Sequence, residues 1–304
     1  MKRAIAAAIV LCCLLGAAAA QPLRVGALRG PTAMGLAKMM KDGGAAFTLA
    51  GSPDALVPLI ARGELDVALL PVNLAAVLYR STGGAVRAVS VNTLGRLRVL
   101  SWDDTALGIG DLAGRKLYAA GKASTPEFVL TRLLELHGAG EPATEWKSEH
   151  SEAAAAFMAD RGSLALLPEP FVSLVLHRAP GARTALALGQ LWEEAGYGPL
   201  VTGVTVARSD VLENRSSDIK EFLALQDASQ AYVNAHPDEA AAWMEELGIL
   251  DAQAARLAIP GSGITYIAGD EMVALLTAFY AAMHAMDPAS VGGSPPDSAF
   301  YASP

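Results

Sequence analysis

Cysteine is nearly absent. The 304-residue chain holds two, Cys12 and Cys13, both in its first segment. A chain processed beyond them forms no disulfide, so its stability rests on packing even in an oxidising compartment. Histidine is scarce too. His137, His150, His177, His236 and His284 include no pair three or four apart, so the helical spacing of paired metal ligands is missing and no metal is expected. No Gly-x-Ser-x-Gly nucleophile turn occurs, and no Walker-type phosphate loop. Gly108-Ile-Gly110-Asp-Leu-Ala-Gly114 approaches a dinucleotide loop, but it has one residue too many and leads into a strand. Glu193 and Glu194 are adjacent and point apart on a helix, which suits a solvated face. No catalytic residue and no cofactor are expected, and the chain reads as a non-enzyme.

Long apolar runs are limited to one. Met1-Lys2-Arg3 precedes Ala4–Ala20, which ends in Ala18-Ala19-Ala20 before Gln21. This is the pattern of a signal peptide cleaved after Ala20, with an uncleaved anchor as the alternative. Leu11 and Cys12 precede the two cysteines, where lipid modification needs a small residue, so lipidation is not expected. Removal of residues 1–20 leaves 21 basic against 31 acidic residues, a formal charge of −10. That excess disfavours nonspecific binding to nucleic acid or anionic lipid. No nucleic-acid partner is expected, and a soluble monomer is.

The remaining chain alternates strands and helices in two series. Leu23–Leu28 is a short apolar strand, followed by Arg29-Gly30-Pro31-Thr32 and an apolar-periodic helix from Ala33. Phe47–Ala50, a helix opened by Ser52-Pro53-Asp54, the strand Asp66–Leu70 and a helix from Leu74 after Pro71-Val72-Asn73 continue the series. Val86–Val91 and Leu97–Trp102 read as a hairpin or as an extended segment leaving the first domain. A second series begins at Lys116–Ala120. It runs through Gly121-Lys122-Ala123-Ser124-Thr125-Pro126 into the helix Glu127–Leu136, then through Leu164–Leu167 and Pro168-Glu169-Pro170 into a helix from Phe171. Val201–Ala207 is a return crossing, after which the chain is mostly helical. The tail from Ser290 is rich in Gly, Ser and Pro and is expected to wrap over the surface. The alternation predicts α/β architecture with parallel-rich sheets. The expected division is a signal peptide over 1–20, a first lobe from 21–103 with 201–304, and a second lobe, 104–200, inserted into it.

Arg24–Gly35, Asp111-Leu112-Ala113-Gly114-Arg115-Lys116-Leu117-Tyr118, Gly121–Pro126 and Leu167-Pro168-Glu169-Pro170 resemble, in their order and spacing, the periplasmic substrate-binding proteins of ABC importers. The resemblance is to the nitrate/sulfonate/taurine and thiamine-precursor branch. It implies a two-lobed periplasmic-binding-protein fold of type II, with two parallel-rich sheets joined by a two-strand hinge. It implies capture of a small molecule between the lobes and delivery to an ABC permease in the inner membrane, so the protein is placed in the periplasm.

The resemblance also implies that ligand residues lie in the loops after the strands: Arg29, Gly30, Pro31, Thr32, Ser52, Val72, Asn73, Ser124, Thr125 and Glu169, with Thr202 on the return strand. Each has an alternative role. Thr32, Ser124 and Thr125 bind ligand or cap helices, with Thr32 and Thr125 the expected caps. Asn73 orients ligand or caps its helix. Arg29 pairs with an acidic group or sits solvated at the rim. Glu169 binds a ligand amine or cationic ring, or favours a helix start. Trp102, Trp192 and Tyr197 stack on an aromatic ligand or pack. Paired helix starts favour an organic anion such as a sulfonate or carboxylate. The alternatives are a heteroaromatic vitamin precursor, a ligand-sensing receptor, and a same-fold enzyme similar to menaquinone-pathway or pyrimidine-synthesis proteins.

Overall fold

The computed structural model describes residues 21–122 and 124–304. The expected signal peptide, its cleavage site and both cysteines lie outside the described residues, as does Ala123.

The first series comprises β1 (Arg24–Leu28), α1 (Pro31–Met34), α2 (Ala37–Asp42), β2 (Ala46–Ala50), α3 (Pro53–Ala61), β3 (Val67–Pro71), α4 (Val72–Ser81) and β4 (Val86–Leu94). The helix expected from Ala33 is therefore two short pieces, broken at Gly35-Leu36. The second series comprises β5 (Arg98–Ser101), β6 (Lys116–Ala120), α5 (Thr125–Leu136), β7 (Ala143–Lys147), α6 (His150–Ala159), β8 (Leu164–Leu167), α7 (Phe171–Arg178), β9 (Arg183–Ala187) and α8 (Leu188–Trp192). The return strand β10 (Val201–Arg208) precedes α9 (Ser209–Asn214), α10 (Ser216–Ala235), α11 (Pro237–Glu246), α12 (Ala252–Ala258), β11 (Ile264–Ile267) and α13 (Gly269–Met286).

Two mixed sheets result, in the orders β11-β4-β10-β3-β1-β2 and β7-β6-β8-β5-β9. In each, three strands pair in parallel: β1 with β2 and β3, and β6 with β7 and β8. The next place is taken by an antiparallel strand that the chain enters directly after crossing from the other sheet. β10 lies between β3 and β4, and β5 lies between β8 and β9. No hairpin joins β4 to β5. Both neighbours of each are already taken, so the segment is an extended crossing. The change of sheet falls at Gly95–Leu97, and β5 pairs with β8 and β9 in the second sheet.

The central strands are buried on both faces. Ala68, Leu69, Leu70, Leu164, Ala165, Leu166 and Leu167 have no exposed surface. Each large one contributes about 1.5–3 kcal/mol by leaving water. Helix α4 turns Val72, Ala75, Ala76 and Tyr79, at helical spacing, into this core. The tail does more than wrap the surface. Phe300 is fully buried, with its ring 5.0 Å from Tyr79 and 5.9 Å from Tyr280. Ala302 donates its amide to the β4 residue Ala88 at 2.9 Å.

Asp66, just ahead of β3, fastens the far end of the first sheet. Its carboxylate accepts from the Arg24 backbone amide at 2.9 Å and from that guanidinium at 3.1 and 2.5 Å, with Arg215 at 3.7 Å. Burial alone would raise its pKa, but the Arg24 hydrogen bonds and the Arg215 charge outweigh burial and hold it below the ordinary carboxylate value. A depressed folded-state pKa contributes stability above the unfolded value and loses it as pH falls. Asp66→Asn is expected to cost about 2 kcal/mol near neutrality. Denaturant melts from pH 7 down to pH 3 should show the gap from wild type narrowing below about pH 4.

Candidate ligand cleft between the lobes

The carboxyl ends of β1, β2 and β3 run into α1, α3 and α4. Those of β6, β7 and β8 run into α5, α6 and α7. A helix start leaves backbone N–H groups unpaired, so each sheet presents a rim of donors at this end. The lobes touch beside the rim of the second sheet. Gln253 of α12 lies 3.0 Å from His177 of α7, amide nitrogen to ring nitrogen. Gly261, in the turn after α12, packs against Glu169 at the end of β8. A methyl group there would sit 2.5 Å from Glu169 Oε1.

On the first lobe, Gly30 has φ 118° and ψ −155°, a conformation open to glycine, and it holds the cap position of α1. Thr32 is not the cap. It sits one residue inside the helix after Pro31, and its hydroxyl donates to the Leu28 carbonyl at 2.7 Å. Arg29 is exposed and donates from Nε to the Gly248 carbonyl at 3.2 Å. Ser52 holds the exposed cap position of α3, with no cap bond from its side chain. Helix α4 starts at Val72, two residues before expectation, with Pro71 at the cap position. Val72 is wholly buried and its carbonyl accepts from the Tyr280 hydroxyl at 2.8 Å. Asn73 is buried, and its Oδ1 has no partner. Thr202 is half-buried and donates to the Thr93 carbonyl at 3.3 Å, beside the crossing.

On the second lobe, Ser124 is the cap residue of α5 and Thr125 the first helical residue, the reverse of the expected capping at Thr125. Ser124 Oγ donates to the Gly121 carbonyl at 2.6 Å, and Thr125 is buried. Glu169 is buried before a cis bond to Pro170 and accepts from the Ser173 amide at 3.1 Å and hydroxyl at 3.0 Å. Burial raises its pKa, against the opposing pull of Ser173 and of the Arg98 and Arg96 charges. The aromatic candidates are used in packing. Trp102 stacks on Phe157 at 5.0 Å and donates to its carbonyl, while Trp192 stacks on Tyr197 at 4.3 Å.

Several polar residues at this end escaped the sequence reading. Gln226, Ser229 and Gln230 lie on the buried stripe of α10 beside Ile219, Phe222, Leu223 and Val233. Their presence on an otherwise apolar stripe was the available signal. Ser229 donates to the Gly35 carbonyl at 2.8 Å, and Gln226 joins a buried network. Ser90 donates to Gln226, whose amide donates to Thr205 at 2.8 Å. Asn92 donates to the same Thr205, and Thr93 donates to Asn92. On the second lobe, His150 opens α6 with its ring 5.8 Å from Phe171. Burial lowers its pKa to about 4, so it is neutral at physiological pH. Among the described residues, no group of three or more His, Cys, Asp or Glu is placed to hold a metal ion.

The fold, with one strand of each sheet supplied from the opposite series, is that of the two-lobed periplasmic binding proteins. An ABC transporter structure from Parabacteroides distasonis superposes with a TM-score of 0.77 at 23% identity, covering 93% of this chain and 99% of that one. The periplasmic aliphatic sulphonate binding protein of Escherichia coli gives 0.69 at 18%, covering 89% and 90%. The periplasmic nitrate-binding protein of Synechocystis PCC 6803 gives 0.59 at 12%, covering 83% and 75%. Likeness at such identity establishes the fold, and the expected type II architecture is met. The chain belongs to the menaquinone biosynthesis family, whose model matches residues 23–284. No curated protein matches the sequence.

The contact between Gly261 and Glu169 makes position 261 a wedge point. Its backbone does not require glycine, since its φ is not positive. In Gly261→Ala the added methyl meets the carboxylate, which must swing away from Ser173 to make room. The expected outcome is a normal far-UV spectrum with a melting temperature a few degrees below wild type.

Proposed function

We propose that the protein is the solute-binding component of an ABC importer, working outside the inner membrane. It captures a small organic anion between its lobes and hands it to a membrane permease. The observation that carries this reading is a rim of helix starts at the carboxyl ends of the parallel strands in each sheet, with the lobes in contact at Glu169 and Gly261. A ligand touching both rims stabilises the closed arrangement by its differential affinity for it. The apolar run Ala4–Ala20 after Lys2-Arg3 supports export. Among the described residues, no helix is long and apolar enough to cross a membrane. The moving units are residues 21–94 with 201–304, and 98–187. Arg29, Gly30, Pro31, Thr32, Ser52 and Asn73 line one wall, and Ser124, Thr125 and Glu169 the other.

A second reading is favoured by the family match: a same-fold enzyme of menaquinone biosynthesis that acts in the same cleft. Against it stands the absence of a paired nucleophile and base among the candidate residues. His150 is packed on Phe171 and desolvated, and Glu169 is hydrogen-bonded to Ser173.

Two measurements separate the readings. In a thermal-shift screen of residues 21–304, a ligand at a hundredfold excess over its Kd adds about 2.7 kcal/mol. That is a rise of several degrees for domains of this size. The expected result is one responding class of small acids, with no product formed. Product formation by the isolated protein establishes the enzyme reading instead. The Ser124→Ala/Thr125→Ala double variant should bind the responding acid roughly tenfold more weakly while keeping its far-UV spectrum. Unchanged affinity removes this loop from the site.

A further inference from the structure

Among the described residues, four buried side-chain polar atoms lack a hydrogen-bond partner: Asn73 Oδ1, Gln230 Oε1, His150 Nδ1 and Trp192 Nε1. The first two are amide oxygens of the first lobe. Asn73 is 5% exposed and Gln230 2%. An acceptor left unpaired in such surroundings costs about 1–3 kcal/mol, and native proteins rarely leave one without a purpose.

Both oxygens lie at the cleft end of the first sheet. Asn73 is the second residue of α4, and helical side chains lean toward the helix N-terminus. Its amide therefore projects past the helix start, over the end of β3. The Gln230 amide nitrogen donates to the Asn92 carbonyl at 3.4 Å, near the end of β4. The same side chain lies against Gly35 at the close of α1, where a methyl group would come within 3.2 Å of Nε2. One residue of β10 joins the two places, for Gly203 pairs with Pro71 on one side and with Thr93 on the other. Two unpaired acceptors thus stand at this end of the sheet, Asn73 from α4 on one face and Gln230 from α10 on the other, on either side of β10. Across the cleft Glu169 adds a carboxylate whose hydrogen-bond donors both come from Ser173. The cation on the loop before α1, Arg29, is directed to the Gly248 carbonyl.

We infer that the ligand presents N–H or O–H donors to the Asn73 and Gln230 amide oxygens. It is an amino- or hydroxy-bearing acid, not a donor-free anion such as nitrate or a simple alkanesulfonate. The inference rests on the solute-binding reading above and narrows its ligand class. A cleft built from acceptors rejects a donor-free analogue because its own buried oxygens stay unpaired in that complex.

The test is calorimetric titration of residues 21–304 with matched pairs of acids differing in a donor: propionate and lactate, ethanesulfonate and taurine, benzoate and aminobenzoate. Asn73→Leu and Gln230→Met, which keep side-chain size and remove the acceptor, are titrated alongside. The donor-bearing member of the responding pair should bind at least roughly tenfold tighter to the wild type. That preference should collapse in the variants, with the affinity for its donor-free partner unchanged. Equal affinity within a pair for wild type overturns the inference alone. So does a preference that survives in both variants, the result expected if internal water satisfies the two oxygens. Binding by neither member of any pair overturns the solute-binding reading together with it.

Discussion

Each sheet of this protein is completed by a strand from the other side of the cleft. β5 leaves the first series to sit between β8 and β9, and β10 returns to sit between β3 and β4. Two covalent crossings therefore join the lobes, and both are embedded in sheets. Backbone approach at the crossings is close. Gly95 donates to the Leu200 carbonyl at 2.5 Å, and a methyl group at Gly189 would lie 2.5 Å from the Gly95 carbonyl. The two crossings are thereby held side by side, and each sheet is anchored to the other series through one of its own strands.

Chemistry at the cleft is dominated by backbone donors at the rims and by side-chain acceptors at the floor. Small residues let the polar groups in. Gly203 leaves room for Asn92, since a methyl there would lie 2.4 Å from Asn92 Oδ1, and Gly35 leaves room for Gln230. The network from Ser90 through Gln226 and Thr205 to Asn92 and Thr93 is satisfied internally and holds β4, β10 and α10 in register. The network lies on the α10 side of the sheet, where Gln230 donates to the Asn92 carbonyl, and it makes this end of the sheet rigid. Rigid polar groups lose little freedom on binding, which favours selectivity.

How much of this was readable from sequence depended on burial. The central strands β1, β3, β6, β8 and β10 stood out as short apolar runs because both faces of each are covered. The strands that went unread, β7, β9 and β11, all lie at sheet edges. One side of each lacks a strand partner and half the side chains see solvent, as in Ala-Thr-Glu-Trp-Lys, so no apolar run marks them. The loops that follow the strands were legible. Ser124, Asn73 and Glu169 stand after β6, β3 and β8, but the capping assignments at Thr32 and Thr125 slipped by one or two residues, since glycine and serine upstream held the required extended or positive-φ backbone. Gln230 was beyond reach of loop-based reasoning, for it arrives at the cleft from a distant helix.

The return of β10 has a further consequence, in time as well as in space. Asn92 of β4 and Thr205 of β10 are 113 residues apart in sequence, yet their side chains are bonded in the finished sheet. Pairings over such distances form slowly, because the intervening loop must close before any contact compensates its lost entropy. The first lobe is without its central antiparallel strand until residues 201–208 are available, so a chain emerging from synthesis stays incompletely folded for most of its length. This strand order therefore sets a late step in folding, the insertion of β10 between two strands made more than a hundred residues earlier.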